Sequence, residues 1–368
     1  MSQVIKALII GYLTAVAFGA RTPKCMTPEN KAVDWFAAYK MPKEYDTEWP
    51  QMVSGAALAY LDANEPGKWK PLEQMINSTE NPVGYTISQL YDSGENDTLL
   101  YALYSDQPPP ERESPYGSAH SKGLFLCNTR GCVWLIHSIP GFPSRPNFDN
   151  GYIYPSSGHK NGQSILCLTI GLDQIDNVAK QLYINNVHIY DSHQYDRISL
   201  QSRPYLNLLL NPPVEEPDTS KIDITTVGGE VFTTFAKKRQ WKQDLYTDFV
   251  AKELNIDLLV EGWRNGRGNI DSNCTQSHQV MNVESIHFNA PDELSFDVQF
   301  ETRKDHSKWA VSADENQPWT CIGDINRQYG QFNRGGGTVC KNSSALWNSY
   351  FQLVNGIESC PSGRSRRR

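Results

Sequence analysis

The sequence predicts an α/β fold assembled from two similar halves, and three features carry that prediction. Short apolar runs bounded by turn residues alternate with stretches of helical spacing, which interleaves strands with helices. The tripeptide His-Ser-Lys occurs twice, as His120-Ser121-Lys122 and His306-Ser307-Lys308, and each copy leads into two apolar runs of matched spacing. His137 stands seventeen residues after His120, and Gly323 stands seventeen residues after His306. Residues 211–221 hold three prolines with acidic residues between them and mark the junction. The halves are then 21–212 and 213–368, packed as a pseudo-twofold dimer with the active site at their interface.

In chain order, 29–39 can begin a strand or a short helix, because its apolar pattern does not discriminate. Residues 55–63 form an apolar run that suits a buried strand. Residues 81–90 carry turn signals and then a short helix, and 98–104 are β-like. Gln107-Pro108-Pro109-Pro110-Glu111 breaks the pattern and forms a loop. Two strands follow the first His-Ser-Lys, turning at Asn128-Thr129-Arg130-Gly131. Residues 140–163, rich in Pro, Gly, Tyr and Asn, read as a long irregular loop ahead of a strand at 164–170. A helix at 172–182 and a strand at 187–191 complete the first half. In the second half an amphipathic helix is expected at 241–254, with strands at 256–260, 283–288 and 294–300 leading to the second His-Ser-Lys.

Lys6, the apolar run 7–18 and the small residues Ala17, Gly19 and Ala20 have the layout of a secretory signal, so 1–20 is expected to be removed. That run is too short to span a bilayer, and no later segment is long enough, so no membrane anchor is expected. Export makes disulfides the expected state of the eight cysteines, whose spacings contain no paired Cys-x-x-Cys of a zinc site. Cys127 and Cys132 flank the first hairpin turn and can bridge it across the strands. Sequons at Asn77, Asn96, Asn273 and Asn342 agree with the same route. The basic tail 364–368 reads as a solvated end.

The formal charge of −7 opposes a polyanionic partner at neutral pH, but protonating all eight histidines would more than cancel it. Work in an acidic compartment is therefore permitted by composition. Phosphodiester chemistry needs a nucleophile on phosphorus, an acid for the leaving oxygen and cations for the remaining oxygens. Two histidines can share the first two tasks and two lysines can perform the third. The pairs His120, Lys122 and His306, Lys308 are the candidates. No His-Glu-x-x-His motif or dense acidic cluster accompanies them, so neither metal nor other cofactor is expected. The other histidines, His159, His188, His193, His278 and His287, read as surface or satisfied core residues.

His-x-Lys followed by Gly-x-x-Asn resembles the phospholipase D superfamily, whose members set two such half-sites face to face. More specifically, Asp305-His306-Ser307-Lys308-Trp309, the run from Pro318 to Arg327, and Arg334-Gly335-Gly336-Gly337-Thr338-Val339-Cys340 resemble signature blocks of the deoxyribonuclease II family. The same holds for His120-Ser121-Lys122-Gly123, the run from Trp134 to Pro140, and Tyr154-Pro155-Ser156-Ser157-Gly158. The likeness runs from about residue 21 to about 357. It departs from the wider superfamily where the regular aspartate should follow each motif, because Cys127 and Ala313 stand there. That gap favours the deoxyribonuclease branch and leaves Asp305, Asp324 and Asn326 as candidates to orient the histidines.

The resemblance implies metal-independent acid hydrolysis of double-stranded DNA to 3′-phosphate and 5′-hydroxyl ends through a phosphohistidine. It also implies a role in degrading the DNA of engulfed or dying cells, in the lysosome or after secretion, as monomer or homodimer. His120 would attack phosphorus and His306 would protonate the leaving 5′ oxygen, although the two assignments can be exchanged. Lys122 and Lys308 would bind the non-bridging oxygens. His137 would support the site, either as an active-site histidine or by holding backbone, and Asn326 would line the pocket. The bridges implied are Cys25–Cys167, Cys274–Cys360 and Cys321–Cys340, which leaves Cys127–Cys132 as a fourth. Another phosphodiesterase of the superfamily, such as a lipid hydrolase, and a catalytically inactive secreted DNA-binding protein are the alternatives.

Overall fold

A computed structural model describes residues 21–47, 49–92, 98–110, 117–146, 151–211, 218–290 and 296–360. The signal segment 1–20, the sequon at Asn96, the proposed boundary at 212/213 and the basic tail 364–368 lie outside the described residues.

A two-stranded ribbon of β1 (Cys25–Met26) and β2 (Ala32–Val33) opens the chain. The first large sheet uses β3 (Trp35–Lys40), β4 (Leu58–Asp62), β5 (Lys70–Pro71), β6 (Leu100–Ser105), β7 (Lys122–Asn128), β8 (Gly131–His137), β9 (Gln163–Ile170) and β10 (Ile189–His193). Its spatial order is β10-β6-β7-β8-β9-β3-β4-β5. The second uses β11 (Thr219–Thr225), β12 (Val231–Lys237), β13 (Leu258–Gly262), β14 (Val280–Ala290), β15 (Phe296–Glu301), β16 (Lys308–Ser312), β17 (Trp319–Gly323), β18 (Gly336–Asn342) and β19 (Val354–Ile357). There the order is β11-β12-β18-β17-β16-β13-β14-β15, with β19 beside β14. The runs β6-β7-β8-β9-β3 and β13-β16-β17-β18-β12 correspond, and every neighbouring pair in both is antiparallel.

Strands β3, β7, β8 and β9 are buried along their whole length, which explains why they read as unbroken apolar runs rather than alternating ones. Apolar side chains of both sheets merge into one core that includes Tyr39, Tyr104, Trp134, Phe288 and Trp309. A second cluster lies between the first sheet and α2 (Pro82–Tyr91). That helix starts where Asn81 accepts the backbone N–H of Val83 and Gly84 at 2.9 and 3.0 Å, with Pro82 fixing the first helical φ.

Several sequence expectations need adjustment. The helix expected at 241–254 starts later: a 3-10 turn at 239–241 is followed, after a break, by one continuous helical run, π-type at 246–250 and α at 251–254. The junction 211–221 overlaps the start of β11, and the β11–β12 hairpin beyond it was not anticipated because its exposed face is polar. The ambiguous 29–39 resolves as strand from Trp35, because its residues pair with β9 on one side and β4 on the other. Helix 175–185 follows a 3-10 turn at 172–174, so it starts and ends three residues later than 172–182.

Four disulfides tie the described residues together: Cys25–Cys167, Cys127–Cys132, Cys274–Cys360 and Cys321–Cys340. Asn77 and Asn342 are exposed and Asn273 is half-buried. No helix among the described residues is long and apolar enough to cross a membrane.

Candidate active site

Lys122 is the first residue of β7 and Lys308 the first of β16, so each His-Ser-Lys lies where a loop enters a central strand. Strand alternation then sends His and Lys to the same face. His120, Lys122, His306 and Lys308 are all buried, and the two imidazoles meet edge to face with centroids 6.3 Å apart. Sequences 186 residues apart thus converge on one point, as the duplicated motif requires.

The missing aspartates are replaced by main chain, and the replacement is reciprocal. His120 Nδ1 lies 2.7 Å from the carbonyl oxygen of Asp324, and His306 Nδ1 lies 2.9 Å from that of Ser138. Ser138 and Asp324 are matching residues, each just beyond the strand that follows a motif. The motif backbones obey the same exchange: His306 N–H donates to Gly162 O at 2.8 Å and His120 N–H to Gly335 O at 2.9 Å. A carbonyl only accepts, so both rings carry their proton on Nδ1 and present Nε2 as the free nitrogen. Gln163 Oε1, 3.2 Å from His306 Nδ1, reinforces that tautomer.

Burial comes first among the influences on both rings, and it lowers their pKa well below the usual imidazole value. Around His120, Lys122, Arg334 and Lys308 lower it further while Asp106 opposes them; around His306, Lys308, Lys122 and His120 add to the lowering. Lys308, also buried, is itself pushed well below the usual lysine value and donates to the carbonyl of its own His306 at 2.5 Å. Lys122 contacts Asp106 at 2.5 Å, and Arg334 reaches the other oxygen of that carboxylate at 2.9 Å. Burial favours protonation of Asp106, but Lys122, His120 and Arg334 prevail and hold it below the usual carboxylate range.

A cleft of about 680 Å³ opens onto this pair. His120, His306, Asp106, Gln163, Trp263 and Arg334 contribute to its wall.

The three proposed orienting residues act differently. Asp324 contributes its carbonyl, while its carboxylate, raised to about 6 by burial, accepts Gly337 N–H at 2.9 Å. Asp305 fixes the motif itself, accepting Ser307 N–H at 3.0 Å, Ser307 O–H at 2.6 Å and the Tyr39 hydroxyl. Asn326 is buried, is absent from the cleft wall, and its Oδ1 has no hydrogen-bond partner among the described residues.

His137 is also absent from the cleft wall. Its Nδ1 accepts Ile139 N–H at 3.1 Å and its ring meets Phe142, so it braces the turn that carries the Ser138 carbonyl. Burial, then Lys122, lowers its pKa to about 3, so it does not join the charge compensation that protonating all eight histidines would give. The unfolded chain binds this proton below about 6.5, whereas the fold resists it until about 3. Its contribution to stability is therefore full above about pH 6.5 and declines as pH falls toward 3. The expected result is a lower urea midpoint at pH 4 than at pH 7, with a smaller drop in His137→Asn; an equal drop in the variant contradicts this role.

Asp106, Gln163 and Trp263 escape sequence reading because none lies in a recurring motif, and the role of Ser138 escapes it because a carbonyl has no sequence signature. Arg334 lies within one of the recognised blocks but carried no assigned role. Glu261 was also missed: it is fully buried, both carboxylate oxygens lack hydrogen-bond partners among the described residues, and burial raises its pKa well above the usual value.

Two desolvated imidazoles with free Nε2 atoms, each with a lysine beside it, are the groups that acid–base and nucleophilic chemistry needs, set within an α/β protein. Comparison with known sequences gives the class a family. Residues 24–360 match the deoxyribonuclease II family. Mouse deoxyribonuclease-2-alpha is 33% identical over 364 residues, covering 98% of this chain and 99% of that protein. Deoxyribonuclease-2 of Caenorhabditis elegans is 32% identical over 374 residues, covering 95% and 97%, and plancitoxin-1 of Acanthaster planci is 32% identical over 356 residues, covering 96% and 97%. The chain belongs to the deoxyribonuclease II family.

Proposed function

We propose that this protein is an acid endodeoxyribonuclease that cleaves double-stranded DNA to 3′-phosphate and 5′-hydroxyl ends through a phosphohistidine, without a divalent metal. The observation that carries the reading is the pair of facing imidazoles, His120 and His306, each held at Nδ1 by a carbonyl from the opposite sheet. One Nε2 attacks phosphorus while the other protonates the departing 5′ oxygen, and the second ring then activates water. Lys122 and Lys308 stabilise the non-bridging oxygens as charge accumulates in the transition state. Reciprocal backbone contacts and the matched strand runs support a pseudo-twofold pair of phospholipase D-like halves, with residues 21–212 and 213–368 as their extent. His137 supports the site through the Ser138 turn.

Acidity has a direct rationale here. Both rings are depressed, so near neutral pH both are neutral and no acid is available for the leaving group. Lowering the pH charges one ring and starts turnover; charging the second removes the nucleophile. A bell-shaped kcat/KM profile with its maximum below pH 6.5 is expected, and a maximum above pH 7 contradicts the assignment. Attack on the backbone requires only phosphate geometry, so sequence preference should be weak. Secretory export, to the lysosome or outside the cell, suits the four disulfides. That location, together with degradation of DNA from engulfed or dying cells, forms part of the same reading.

The test is release of acid-soluble fragments from plasmid DNA at pH 5 in EDTA, with end-group analysis and a parallel phospholipid assay. Cleavage to 3′-phosphate ends with no lipid turnover supports the reading. Loss of activity in chelator, or lipid turnover in place of DNA cleavage, overturns it.

A further inference from the structure

The strand ladders define one register position at which the two motifs differ. Ser105 of β6 lies opposite Lys122 of β7, and Gly262 of β13 lies opposite Lys308 of β16. The next residues, Asp106 and Trp263, therefore occupy matching places, each beside its own histidine. Asp106 Oδ2 lies 3.9 Å from His120 Nε2, while the Trp263 ring meets the His306 ring edge to face at 4.9 Å. One imidazole faces a carboxylate and the other an indole.

We propose that this single difference allocates the two roles: His306 is the nucleophile, His120 is the general acid, and Asp106 is a positioning residue for the acid. The allocation rests on the two-histidine reading above. It reverses the provisional order in which His120 attacks.

The physical argument concerns what each Nε2 can approach. A nucleophilic nitrogen must reach a phosphorus surrounded by anionic oxygens. At His120 those oxygens would enter the field of Asp106, which Lys122 and Arg334 keep ionised. A proton donor has the opposite requirement, because an adjacent carboxylate stabilises the imidazolium. His306 has no carboxylate within ion-pair distance among the described residues, and the group beside it is an uncharged indole. The lysines divide in the same sense. Lys122 is engaged by Asp106, while Lys308 Nζ, among the described residues, donates to the His306 carbonyl and pairs with no carboxylate. The charged groups facing His120 are Asp106, Lys122, Arg334 and Lys308; those facing His306 are Lys308, Lys122 and, when protonated, His120.

In the first step the Nε2 lone pair of His306 forms the N–P bond, the P–O5′ bond breaks, and its electron pair takes the proton from His120 Nε2. In the second, neutral His120 accepts a proton from water. The water oxygen bonds to phosphorus, the N–P bond breaks, and a 3′-phosphate is released.

Thymidine 3′-(p-nitrophenyl phosphate) tests the allocation, because its leaving group departs without a proton. His120→Ala should release a burst of about one equivalent of nitrophenolate and stall with a thymidyl-phosphoryl group on His306, while His306→Ala should release none. Wild-type enzyme quenched into alkali during turnover of a labelled oligonucleotide should carry the adduct on His306, which guards against a variant that fails to fold. An adduct on His120, or a burst from His306→Ala instead, overturns the allocation while leaving the two-histidine reading intact. DNA cleavage with no adduct on either histidine defeats the covalent reading itself.

Asp106→Asn supplies a second readout. Its kcat on DNA should fall ~10- to 100-fold and its alkaline limb should move to lower pH, with less than about a threefold change in the rate of the nitrophenolate burst from the ester, the step that needs no proton donor. An equal loss in that burst rate would assign Asp106 a purely structural role and overturn its part in the proposal.

Discussion

His306→Ala should abolish DNA cleavage, with kcat lowered by about 10⁴-fold or more. The expectation holds whether His306 attacks phosphorus or protonates the leaving oxygen, because each role needs a nitrogen at that place. The variant also leaves the Ser138 carbonyl and Gln163 Oε1 without the Nδ1 proton they now share. That loss costs about 1–3 kcal/mol, too little to unfold a chain held by four disulfides. Release of acid-soluble fragments at pH 5, alongside circular dichroism, separates the chemical loss from a structural one. Undiminished cleavage by a folded variant would sink the mechanism.

Replacing Cys25 and Cys167 together by serine should have the largest effect on stability, about 2–5 kcal/mol. This bridge spans 142 residues and joins the N-terminal ribbon to β9, so its loss releases the widest loop in the denatured chain. Cys25 and Cys167 are both fully buried, and two serine hydroxyls would take the place of the sulfurs. β9 begins at Gln163, which accepts the Ser138 hydroxyl at 2.6 Å and lies against His306, so loosening that strand reaches the site. A fall of several degrees in melting temperature is expected, with activity at pH 5 lost at a lower temperature than in wild type. An unchanged melting temperature would show that the ribbon is held by its other contacts alone.

How much of this was legible depended on the kind of information each element carries. The strands after both motifs were readable because complete burial makes Leu124-Phe125-Leu126 and Trp309-Ala310-Val311 continuous apolar runs. The β11–β12 hairpin was not, because a strand that alternates apolar with exposed polar residues next to a proline-rich junction looks like more of that junction. The helix read at 241–254 was legible as a helix but not in its start, because helical spacing carries across a 3-10 turn and the short break that separates it from the helical run. His120, Lys122, His306 and Lys308 were visible through repetition alone, and the structure brings all four together. His137 was visible as the place where the copies differ, but its burial away from the cleft lining was not.

The sequence by itself determined that two His-Ser-Lys motifs recur at matched spacing, that the regular aspartates are absent, and that the family is the one its signature blocks resemble. These are statements about side-chain identity and separation along the chain, which is all that a linear pattern encodes. Tertiary structure alone decided what replaces the aspartates and what distinguishes the two histidines. The carbonyls of Ser138 and Asp324 reach the opposite ring only because the sheets pack motif to motif, and every residue carries such an oxygen, so no residue type announces it. Asp106 and Trp263 become comparable only through strand register, since pairing across a sheet places residues far apart in sequence at the same position.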